Sequence, residues 1–239
     1  MSGVMGDERE PAASRNHLLA GLPTAEFHLA APALELVHCP AGMVLLDAAK
    51  RIDRVYFPAG CVAARICTLK DGISFGESIV GSDGIVGIPS FLGGSPMPWR
   101  VEVVIGGDAL RMPGAALATE FRRGGALQRL LLSYTQELLT QLSFETVCRS
   151  HHAVERRLAR LLVEIADRWH GTDLPLTQES LGFLLGVRRE TVCHAIRRLQ
   201  SAHAIDHERA SVRIVDTARL RNAACGCYRE TPWRMDPQG

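Results

Sequence analysis

Residues 176–200, LTQESLGFLLGVRRETVCHAIRRLQ, leave the chain little freedom. Thr177 stands where a hydroxyl N-caps a helix, accepting from an orphan backbone N–H two or three residues on. Leu181, Leu184 and Leu185 give that helix an apolar face. Gly186 interrupts the periodicity, and a second helix resumes near Arg188 with Val192, Ile196 and Leu199 at i, i+4 and i+7. Gly182 lets the two helices approach, since a side chain there would hold them apart. Two short helices across a tight glycine turn form a helix-turn-helix. The second helix exposes Arg188, Arg189, Glu190, His194, Arg197 and Arg198. Between Gly186 and Ser201 four Arg face one Glu, a local charge of +3 on a chain whose net charge is +1. Basic charge around a helix that fits the major groove is the footprint of DNA reading.

Residues 204–207 and 211–215 read as two short strands around Glu208-Arg209, a β-wing directly after the second helix. The unit is therefore a winged helix rather than a solvated helical hairpin.

These residues, with HAVERRLARLL at 152–162 upstream and ACGCY at 224–228 downstream, resemble the Crp/Fnr family of bacterial transcription regulators. More narrowly, they resemble a proteobacterial branch without an evident cyclic-nucleotide or iron–sulfur signature. The resemblance implies an α+β architecture: an N-terminal β-roll (a cyclic-nucleotide-binding-like jelly roll), a long dimerisation helix and a C-terminal winged helix-turn-helix. It also implies a homodimer on a palindromic duplex, with RNA polymerase as a further partner. Arg189 and Glu190 match the R-E pair that opens the family's recognition helix. Arg suits guanine O6 and N7, and Glu suits cytosine N4. His194 stands where the family has a third base reader, Arg. Arg188, Thr191 and Arg197 are expected on phosphates, and Arg198 in an intramolecular pair.

The rest of the chain fits two domains of ordinary size. Residues 1–16 are polar and Pro/Gly-containing and are expected to be a disordered tail. A short helix is expected over 17–27. Between 33 and 112, short apolar runs at 34–37, 43–46, 55–57, 62–69, 73–80 and 101–105 alternate with Gly/Pro turns, the pattern of a β-barrel or jelly roll. A β-roll sensor domain is thus placed at 17–125. Pro113 suits the first turn of a helix that ends at Gly124-Gly125. Residues 126–149 read as the dimerisation helix, with Leu127, Leu131, Tyr134 and Leu138 at 4-3-4 spacing as the expected seam. Leu130, Leu132, Leu139, Leu142 and Phe144 add apolar positions, so one stripe is left to cover the barrel. The winged-helix domain takes 150–239, with a helix over 154–169 and a last one near 218–224.

Little in the barrel points to catalysis or to a cofactor. A metal-dependent jelly roll needs converging imidazoles or carboxylates, and the only His between 33 and 112 is His38. No nucleophile elbow or P-loop occurs. In cyclic-AMP-binding relatives, Glu after a Gly holds the ribose, and Arg followed by Ser or Thr clamps the phosphate. Here Ile88 replaces the Glu, and Val101 follows Arg100, the nearest match to the phosphate arginine and the one candidate ligand residue. Cys39, Cys61 and Cys67 lie in the barrel and make no N-terminal iron–sulfur cluster. Cys225-Gly226-Cys227 is a C-x-C of the kind that takes a soft metal or forms a redox pair, but alone it is a weak signal. His151, His152 and Glu155 read as an interdomain contact and a helix-start carboxylate. No metal site and no cofactor are assigned.

Seven cysteines at irregular spacing suggest a reducing cytoplasm. There is no apolar run to span a membrane and no apolar signal core. The expectation is a DNA-binding regulator with an unidentified effector and no enzymatic activity. The alternative is a sensor module acting through protein partners with degenerate DNA binding.

Overall fold

A computed structural model describes residues 9–228 of the chain. From residue 9 the segment expected to be disordered carries a helix instead, α1 (Arg9–Ala13), followed by α2 (His17–Ala20) and α3 (Thr24–Ala30). Asn16 explains the order. Its side-chain oxygen accepts from the Leu18 and Leu19 amides, N-capping α2, and its amide nitrogen donates to the Pro58 and Gly84 carbonyls at 2.9 Å. A fully buried amide with four partners fixes the segment to the barrel. The expected disorder over 9–16 is thus overturned, while residues 1–8 lie outside the described part.

The barrel comprises β1 (Glu35–Cys39), β2 (Val44–Leu46), β3 (Arg54–Pro58), β4 (Val62–Thr68) and β5 (Ser74–Val80). After the short α4 (Pro89–Leu92) come β6 (Trp99–Ile105) and β7 (Gly107–Pro113). They form two antiparallel sheets, ordered β1-β7-β3 and β2-β6-β4-β5. Strand β6 follows simple alternation, with Val101, Val103 and Ile105 buried. Strand β4 does not, because both of its faces are covered. Ala63 packs inside the barrel, while Val62, Ala64 and Ile66 join the core of the C-terminal module.

Helix α5 (Gly114–Arg123) leads to the long α6 (Gly125–His151). No side chain at Gly124 caps α6. Glu26 of α3 does so instead, its carboxylate accepting from the Ala126 and Leu127 amides at 2.9 and 3.0 Å. The two backbone donors hold the Glu26 carboxyl below its usual range.

Leu127, Leu131, Tyr134 and Leu138, expected at the seam, are buried within the chain itself. The first three belong to one core with Leu18, Phe57, Ile85 and Leu110. The free apolar positions of α6 are Leu132, Leu139 and Val147, exposed by 47%, 62% and 52%. The stripe expected at the seam therefore faces the chain's own core, and the other stripe is the exposed one.

The C-terminal module contains α7 (Val154–Trp169), β8 (Asp173–Leu174), α8 (Gln178–Leu185), α9 (Arg189–Ser201), β9 (Ile205–Glu208), β10 (Ser211–Ile214) and α10 (Thr217–Ala223). Strands β8, β10 and β9 form the wing sheet. The module lies directly on β4 and β5. A Cβ at Gly76 of β5 would meet Leu184 Cα and Cδ2 of α8 at 3.0 Å, so the glycine sets how closely sheet and helix approach. The Arg149 guanidinium of α6 donates to the Gly76 and Glu77 carbonyls at 2.6 and 3.0 Å. Farther along, Arg168 Nε of α7 donates to both Asp83 oxygens at 2.8 and 2.7 Å. Glu164 accepts from Arg168, from Gln141 and from Arg160, whose guanidinium also meets Glu145 at 3.4 Å. This buried network joins barrel, long helix and C-terminal module.

Candidate nucleic-acid interface

The helix-turn-helix is built as the residues dictate. Thr177 Oγ1 accepts from the Ser180 amide at 3.1 Å, capping α8. Gly186 ends it in the left-handed region at φ 65°. A Cβ at Gly182 would meet the Val187 carbonyl oxygen at 3.0 Å, so the close α8–α9 approach requires the glycine. Val192, Ala195, Ile196 and Leu199 bury one side of α9 against the module's core.

The opposite side is open. Glu190, His194 and Arg197 are exposed at i, i+4 and i+7. Arg188 occupies the N-cap position, while Arg189 and Thr191 flank the exposed row, and all three are exposed. Arg189 Nε donates to Gln178 Oε1 at 3.4 Å, and the same oxygen accepts from Cys193 Sγ at 2.8 Å. Arg189 and Gln178 share a groove with His207, Glu208 and Arg209 of the wing. Backbone donors at the start of a 13-residue helix, with cationic side chains beside them, suit phosphate. Arg198 is engaged with Glu155 at 3.0 Å.

The barrel holds a cavity of about 330 Å³ against α6. Ile88 and Val101 are in its wall, together with Ile85, Trp99 and Leu138. Arg100 is not. It sits on β6 beside Glu102 at 3.1 Å, on the strand face opposite Val101. The arginine of the cavity wall is Arg65, which the sequence reading did not single out. Its guanidinium lies 5.3 Å from the centroid of Trp99 and 3.7 Å from Glu77. Lys50, the other cation of the wall, is held by Asp47 at 2.7 Å. Among the described residues no helix is long and apolar enough to cross a membrane.

A β-roll, a long helix and a winged helix with an open basic reading helix define a regulator-type DNA-binding architecture. Residues 156–223 match the Crp-like helix-turn-helix domain family. FixK2 from Bradyrhizobium japonicum has a similar structure, with a TM-score of 0.68 at 16% identity over 81% of this chain and 98% of that one. A transcriptional regulator of the CRP/FNR family from Thermus thermophilus gives 0.63 at 19% identity, over 80% and 98%. The c-di-GMP responsive global regulator CLP from Xanthomonas campestris gives 0.60 at 15% identity, over 82% and 100%. No curated protein matches the chain. Residues 156–223 thus form a Crp-like helix-turn-helix domain, and the chain shares the fold of the Crp/Fnr transcription regulators over about four fifths of its length.

Proposed function

We propose that this chain is a sequence-specific transcription regulator of the cytoplasm that binds a palindromic operator as a homodimer and works with RNA polymerase. The observation that carries the reading is the open face of α9, where Glu190, His194 and Arg197 stand opposite the buried Val192, Ala195, Ile196 and Leu199. Arg189, Glu190 and His194 read base edges, while Arg188, Thr191 and Arg197 hold phosphates. One such helix reads only a few base pairs. A two-fold dimer places two of them in successive major grooves, about 34–36 Å apart. The exposed Leu132, Leu139 and Val147 of α6 supply the apolar face for that dimer.

The cavity is the place for an effector, and its chemistry favours an apolar one. Both cations in its wall already have carboxylate partners, and most of its surface is aliphatic. The cyclic dinucleotide named for the Xanthomonas relative is therefore not carried over to this chain.

Titrating the full chain with palindromic and scrambled duplexes across a range of salt tests the reading. Tighter binding to selected palindromes, with two chains per duplex and affinity falling steeply with salt, is expected. Equal binding to every sequence would overturn it.

A further inference from the structure

Where α6 ends, four side chains that the DNA interface does not use come together. Cys148 lies in the last turn of α6, His152 at its C-cap, and Cys225 and Cys227 follow α10. Cys148 Sγ and Cys225 Sγ are 3.3 Å apart, and Cys227 Sγ is 3.5 Å from His152 Nδ1. One donor atom from each of the four lies within 4.8 Å of all the others. Cys148 and Cys225 are buried, while Cys227 and His152 are half-buried.

We propose that Cys148, His152, Cys225 and Cys227 form a closed mononuclear site for a thiophilic divalent cation, with zinc the ion that fits best. Three sulfurs and one imidazole are a donor set of structural zinc, whose four protein ligands leave no position open to substrate. A tetrahedral ion with Zn–S of about 2.3 Å and Zn–N of about 2.0–2.1 Å separates its ligand atoms by roughly 3.5–3.8 Å. The 3.3 and 3.5 Å separations lie within a few tenths of an ångström of that spacing, and the remaining pairs lie within 4.8 Å.

Local geometry prepares the ligands. Cys148 and His152 are four residues apart on one helical face, and the His152 amide donates to the Cys148 carbonyl at 3.1 Å, closing the last turn. The Cys225 amide donates to the Arg156 carbonyl at 3.4 Å, which brings the C-x-C segment against the start of α7. Binding converts three thiols to thiolates and releases three protons as four bonds form to the metal. The resulting centre carries one negative charge, and the neighbouring Arg160 guanidinium opposes it.

A disulfide is the competing use of these sulfurs. The 3.3 Å Cys148–Cys225 separation is well beyond a bond of about 2.05 Å. That pairing would also leave Cys227 and His152 without a role. The site would join the end of α6, the α6–α7 connection and the segment after the winged helix, clipping the DNA-reading module to the long helix.

The test uses the full chain, expressed with zinc supplementation and assayed for metal by mass spectrometry, then stripped and titrated with cobalt(II). One zinc per chain and the intense visible bands of tetrahedral cobalt thiolate are expected. Both should be lost in Cys227→Ser and in His152→Ala and kept in Cys67→Ser, with all three variants retaining wild-type circular dichroism. Cys227 and His152 are half-buried, so these variants avoid the packing loss that Cys148→Ser risks. A wild-type chain that takes up neither metal would overturn the proposal. So would metal retained by both Cys227→Ser and His152→Ala, or a metal-free chain cross-linked between Cys148 and Cys225. None of these readouts involves DNA, so failure here is separable from failure of the regulator reading.

Discussion

At the scale of single residues, the two ends of α9 are expected to differ in what they do on DNA. Arg189 is held beside Gln178 at the entry to the wing groove, a pose that leaves its guanidinium at the surface. Arg189→Ala is expected to cost about 1–3 kcal/mol of discrimination at one base pair, measured by competition among single-position operator variants. An equal loss for all sequences would make it a phosphate contact instead. Arg197 takes part in no ion pair among the described residues, whereas its neighbour Arg198 is tied to Glu155. Arg197→Ala should therefore lower the slope of log affinity against log salt by about one unit, and Arg198→Ala should change it far less. The same reasoning applies in the cavity. Ile88 and Val101 offer no polar partner to a ribose or a cyclic phosphate, and Arg65 is already engaged with Glu77. Calorimetry with millimolar cyclic AMP or cyclic GMP should show no saturable heat. A micromolar dissociation constant abolished by Arg65→Ala would contradict this.

At the scale of elements, legibility follows the range of the forces involved. The helix-turn-helix was readable because its determinants are local: the Thr177 cap, the close approach at Gly182, the left-handed Gly186 and the i, i+4, i+7 row of α9. The strands were readable from alternation and turns, although β7 was hidden by the glycines that open it. Helix α6 shows where periodicity stops being informative. It carries two apolar stripes, and spacing alone does not say which meets the barrel and which remains free. Two charge insertions separate them. Leu131→Glu buries a carboxylate in the barrel core and should unfold or severely destabilise the chain, since a lost buried Leu alone is worth about 2–5 kcal/mol. Leu139→Glu lies on the exposed stripe and should leave a folded monomer that binds palindromes weakly. Sedimentation and thermal unfolding of the two variants give the comparison. A dimeric Leu139→Glu would place the dimer contact elsewhere.

At the scale of the molecule, what sequence reading missed are contacts made across long separations. Cys148 and Cys225 stand 77 residues apart in the chain, and Asp83 and Arg168 stand 85 apart. No window of sequence shows that either pair meets. The Asp83–Arg168 bond belongs to the buried network that joins barrel and reading module, so removing Asp83 leaves Glu164 as the one carboxylate partner of the Arg168 guanidinium. Asp83→Ala should destabilise the chain in denaturant unfolding, by less than the roughly 3–5 kcal/mol that a buried charge left with no partner costs. Replacing both partners with apolar residues should restore much of that loss. If the single substitution is neutral, the interface is held by its apolar contacts alone.

Gly76 turns the junction between the two halves into a question of clearance. Its hydrogen faces Leu184 of α8, the first helix of the helix-turn-helix, and even one methyl group would force that helix to give by a few tenths of an ångström. A hybrid made by grafting a foreign barrel beneath this module would have to reproduce that gap as well as the surrounding apolar surface. A barrel with alanine at the corresponding place could fold soundly by itself and still seat the reader at the wrong height. The tolerance of the joint is therefore set by a side chain that is not there.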